Sequence, residues 1–107
     1  MREIPERDWK IIRKLKDDIL NLTCQRILDK ATAIIGATDK TTHARYLEMY
    51  KMIHDEDRHI GDMFNNLRRS SAFFQVSLWK RYGLLSDEQF ALFSEETRDV
   101  LSSIADY

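Results

Sequence analysis

The sequence predicts an all-α fold, an antiparallel bundle of three long or four shorter helices forming one domain over residues 1–107. Three observations carry that expectation. The chain has only three Gly and one Pro among its 107 residues. Its apolar residues recur at intervals of three and four, the helical period, and not at two. Recognisable start and stop residues stand where those periodic runs are interrupted.

The first helix begins at Pro5, a residue tolerated in a first turn, with Glu6 and Asp8 placed to meet the positive end of the helix dipole. Its apolar line is Trp9, Ile12, Leu15, Ile19 and Leu22, then shifts to Leu20, Cys24, Ile27, Leu28, Ala31, Ile34 and Ile35. Such drift is expected of a 3.6-residue helix read against a strict heptad, and it implies that the helix changes neighbours along its length or wraps one. Gly36 ends the helix, with 37–40 as the loop and Thr41 or Thr42 as the next N-cap.

A second series runs Tyr46, Tyr50, Ile53, Asp57, Ile60, Phe64, Leu67, Ser71, Phe74, Leu78, alternating steps of four and three without a slip. This register predicts one continuous helix over about 42–82, some 60 Å long at 1.5 Å per residue. The alternative is a turn near 66–71, where Asn65, Asn66, Ser70 and Ser71 gather. Gly83 then suits a left-handed helix stop, and Ser86-Asp87-Glu88-Gln89 has the form of a capping box, with Leu85 and Phe90 as its hydrophobic staple. The last helix carries Phe90, Phe93, Thr97, Val100 and Ile104 inward, unless Ser94 caps a new start and divides it.

Composition narrows function by exclusion. Seventeen Lys and Arg against eighteen Asp and Glu give a net charge of −1, which provides no global field for nucleic acid or an anionic membrane. The opening MREIPERDWK has no signal-peptide pattern and the lone Cys24 cannot form an internal bridge, so a cytoplasmic location is expected. No apolar run is long enough to span a bilayer. Charge is uneven, however. Residues 86–107 hold one basic and six acidic side chains, whereas 65–85 holds Arg68, Arg69, Lys80 and Arg81 with no acid.

The polar candidates cluster in His54-Asp55-Glu56-Asp57-Arg58-His59. Glu56 and His59 form one Glu-x-x-His pair, the spacing used by di-iron carboxylate bundles, but such a site needs two of these pairs plus further glutamates on facing helices, and no second Glu-x-x-His exists in the chain. No metal or cofactor is therefore expected. Asp57 falls within an apolar line, and Arg26 lies four residues past Leu22 on the first helix. A buried ion pair between Asp57 and Arg26 would satisfy both and fix helix register. Cys24 sits in an apolar band without a local base, so it reads as core. No catalytic arrangement emerges.

A second apolar line, Ala72, Phe73, Val76 and Trp79, accompanies the Phe74 and Leu78 line. A helix apolar on more than one face must be covered on more than one face. The C-terminal helix is one candidate cover, and a second copy meeting Phe73, Val76 and Trp79 is the other. The functional expectation is a small cytosolic protein-interaction or regulatory module with no catalytic signature, acting through a homodimer and open to a further protein partner. One alternative is a helical enzyme or metal protein using Glu56, Asp57 and His59. The other is a nucleic-acid-associated adaptor using Arg68, Arg69, Lys80 and Arg81.

Overall fold

The computed structural model describes residues 3–105, with the side chain of residue 105 outside the description. Among the described residues the secondary structure is entirely helical: α1 (Glu6–Gly36), α2 (Thr42–Phe64), α3 (Ala72–Arg81), α4 (Asp87–Phe90) and α5 (Glu95–Ala105). The expected all-α bundle is what the chain forms. It measures 51 × 25 × 25 Å, because α1 and α2 make a long hairpin and the three shorter helices gather at one end of it.

Local chemistry sets most helix ends. Pro5 stands at the N-cap of α1, and its carbonyl accepts from the Trp9 amide at 2.9 Å. The Thr41 hydroxyl accepts from the Ala44 amide at 3.1 Å and so starts α2. Gly83 adopts φ +69, the left-handed stop after α3. In the capping box of α4, Ser86 Oγ accepts from the Gln89 amide at 3.1 Å, while Gln89 Oε1 accepts from the Ser86 amide at 2.9 Å. Ser94 divides the C-terminal segment: its hydroxyl accepts from the Thr97 amide and α5 begins one residue later.

The continuous helix expected over 42–82 does not form; the chain breaks between Phe64 and Ala72. Asn65 turns extended, and Asn66 enters the left-handed region at φ 53, which a short polar side chain tolerates better than most. Gln75, buried in α3, secures the bend. Its Nε2 donates to the Asn65 carbonyl at 2.9 Å, and its Oε1 accepts from the Ser71 hydroxyl at 2.6 Å. The carbonyl left free at the end of α2 is thus met by a side chain from the next helix. The three-four series survives this interruption only as spacing, because Phe64 is buried while Phe74 is exposed.

Folding α3 back changes what it meets. It packs chiefly against α5, and also on α2 and α1. The core lies here, around Trp79, Phe93, Phe73, Val76 and Leu101, with Ile4, Ile12 and Ile19 from the start of the chain and Met63 and Phe64 from the end of α2. The Trp79 ring stacks on Phe64 with centroids 5.6 Å apart, and its Nε1 donates to the Met63 carbonyl at 3.3 Å. The interface expected at Phe73, Val76 and Trp79 is therefore corrected. All three are buried by their own chain, because a short α3 can be enclosed by α5 where a 60 Å helix could not.

One buried carboxylate organises this end. Asp8 of α1 is fully buried and accepts three hydrogen bonds: from the Ser94 amide at 2.9 Å, the Ser94 hydroxyl at 2.7 Å and the Thr97 hydroxyl at 2.6 Å. Burial alone would push its carboxyl up. The Ser94 and Thr97 bonds, helped by the nearby Arg7 charge, outweigh burial and hold it below the ordinary carboxylate value. Asp8 thus closes the N-terminus of α5 from a position 86 residues earlier.

Candidate interaction surface

Beyond the packed end, α1 and α2 continue as a two-helix arm joined by the turn at 37–41. Two helices alone cannot bury all their apolar residues against each other, so one side of the arm stays uncovered. From α2 it presents Tyr46, Tyr50, Ile53, Asp57 and Ile60, at steps of four and three. From α1 it presents Cys24, Leu28, Ala31 and Ile35, again at four, three and four. Leu28, Ile35, Tyr46, Tyr50 and Ile53 are between 43% and 64% exposed, well above what core-facing residues at this spacing retain.

Two shallow clefts join these lines into one groove. One, of about 380 Å³, is lined by Tyr46, Met49, Tyr50, Ile53, His54 and Asp57. The other, of about 240 Å³, spans both helices between Cys24, Ile27, Leu28 and Ile53, Asp57, Ile60. Ile53 and Asp57 belong to both clefts, so the groove is continuous along the arm. The Tyr50 and His54 rings stack over its edge, parallel within 3° with centroids 6.1 Å apart. Soluble monomers seldom leave so long an apolar face open to water.

The expected Asp57–Arg26 pair does not form. Asp57 is exposed in the groove, whereas Arg26 projects from another side of α1 and donates to the carbonyls of Tyr82 at 2.9 Å and Gly83 at 2.8 Å. Its cationic fork meets the negative C-terminal end of α3, so the guanidinium is satisfied there by two charge-assisted hydrogen bonds. Arg26→Met and Asp57→Leu are accordingly expected to act additively on stability, with a coupling below about 0.5 kcal/mol in a double-mutant cycle read by urea denaturation.

The other polar candidates are also redistributed. Glu56 pairs with Lys30 at 2.9 Å, and His59 stacks against Tyr82 with centroids 5.5 Å apart. These two share a cleft of about 310 Å³ with Arg26 and Lys30, floored by Met63 and Leu84, on a different side from Asp57. Among the described residues no three His, Cys, Asp or Glu side chains converge as a metal would require. Arg69 donates to the Ile4 carbonyl at 3.0 Å and Lys80 lies over the Phe90 ring at 5.4 Å, so both serve the fold.

Sequence reasoning identified the residues of the groove but assigned them to the interior. The signal that distinguishes them is the turn at 65–71: once α3 folds back on α5, no third helix among the described residues remains to cover the groove side of residues 46–60. Among the described residues no helix is long and apolar enough to cross a membrane. Comparison with protein-family models, with curated proteins and with solved structures finds no match to this chain.

Proposed function

We propose that this chain is a protein-interaction module that works through the apolar side of its α1–α2 arm. The observation that carries the reading is the pair of three-four lines, one on each helix, that remain in water along a single groove. That spacing on both members of a helical hairpin is the pattern of a bundle seam, and its natural complement is one or two further helices. The packed end supplies rigidity: its core holds the roots of α1 and α2 through Ile12, Ile19, Met63 and Phe64.

The cleft at Glu56 and His59 favours no rival reading, since Glu56 is neutralised by Lys30 and His59 lies against an aromatic ring. A photo-crosslinking side chain placed at Tyr46, and separately at Asp87 on the exposed start of α4, tests the proposal in cells that produce the chain. Discrete adducts from position 46 and none from position 87 are expected. Equal behaviour of the two positions would contradict the proposal.

A further inference from the structure

Resting on the reading of the arm as an interaction surface, we infer that its occupant is a second copy of this chain, laid antiparallel so that Tyr50 meets Asp57 of the partner subunit. The seam covers about 17 Å of α1 and 21 Å of α2, and the partner must offer two lines of matching length and spacing. The same hairpin offers both by construction, and a two-fold axis makes the fit reciprocal.

The area agrees. The five most exposed apolar side chains of the groove leave roughly 600 Å² in water, and the smaller residues between them bring one chain's contribution toward the roughly 800 Å² per partner of a stable interface. Such a pairing would complete a four-helix bundle from two hairpins, with the packed ends at opposite extremities.

Charge decides the direction. Asp57 is the one formal charge within the α2 line, and among the described residues no cation lies within ion-pair distance of it. Two dyads are possible. An axis parallel to the helices keeps every residue at its own level and sets α2 over the partner's α1. Asp57 would then face the partner's Cys24 and Leu28, which stand at its level in the groove, and its carboxylate would be dried with only a weakly donating thiol opposite it. An axis perpendicular to the helices at Ile53 instead reverses α2 on α2. Residues 50 and 57 then meet within one residue's rise, and the Tyr50 hydroxyl can donate to the partner's Asp57 carboxylate, twice by symmetry.

Sedimentation equilibrium of the purified chain tests the occupant, and cysteine pairing tests the direction. The expected mass is twice the 12.7 kDa of the chain, and Ile53→Glu is expected to give a monomer with unchanged helical circular dichroism, because residue 53 is already part-exposed. Tyr50→Phe is expected to weaken association by at least tenfold. In a Cys24→Ser background, mixing Tyr50→Cys with Asp57→Cys chains under mild oxidation is expected to yield mainly the mixed disulfide. A monomer at high micromolar concentration overturns the second copy as occupant, and adducts from position 46 to another protein would still uphold the interaction surface. A dimer whose disulfides are mainly 50-to-50 overturns the antiparallel register.

Discussion

Replacing Asp8 by alanine is expected to destabilise the chain by about 3–5 kcal/mol, since it removes an ionised acceptor and leaves the Ser94 amide, Ser94 hydroxyl and Thr97 hydroxyl without it in a dry setting. Asp8→Asn should cost less, because one amide oxygen can still accept. The pH dependence has a definite sign. The carboxyl is held below its ordinary value of 3.8 in the folded chain, so its contribution is fully present above that value and is lost as pH falls through the lower, folded-state pKa. Urea midpoints measured between neutral and strongly acidic pH should therefore fall more steeply on acidification for the unaltered chain than for Asp8→Asn. Parallel profiles would remove Asp8 from its place as the clasp of α5.

Phe73→Glu should abolish cooperative folding, whereas Phe74→Glu, one residue away, should change stability by no more than about 1 kcal/mol. Phe73 is 3% exposed against α5 and the rest of the core, and Phe74 is 56% exposed. The first substitution deletes a core aromatic, worth about 3–5 kcal/mol, and adds a carboxylate that has no partner there. Thermal unfolding followed by circular dichroism reads the contrast. A Phe73→Glu chain that folds normally but changes mass would return this face to the role of an interface and contradict the packing described above.

Features that depend on a few adjacent residues were legible in the sequence. Thr41, Gly83 and the Ser86–Gln89 box each act within one turn of a helix, so their residue types alone announce what they do. The break at 65–71 was hidden because a three-four series counts residues and not directions; Asn65, Asn66 and the serines were the better guide. The same blindness placed Asp57 opposite Arg26. Periodicity shows that a residue shares a face with its neighbours, but not which element covers that face, and here the described chain provides none. Likewise the second apolar line of Phe73, Val76 and Trp79 was real, and its cover proved to be α5. The Asp8 clasp had no local signature at all, since its partners lie 86 and 89 residues away.

On the proposed reading, the apolar side of the α1–α2 arm is covered when the chain is at work. Hydroxyl-radical labelling in cells that produce the chain tests it with an internal reference, because Tyr46 and Tyr50 are each 64% exposed and Tyr82, outside the groove, is 43% exposed. An uncovered arm labels Tyr46 and Tyr50 more strongly than Tyr82. A covered arm gives the reverse order in the unaltered chain and a return to the uncovered order in Ile53→Glu; labelling of Tyr46 and Tyr50 above Tyr82 in both chains would contradict the proposal.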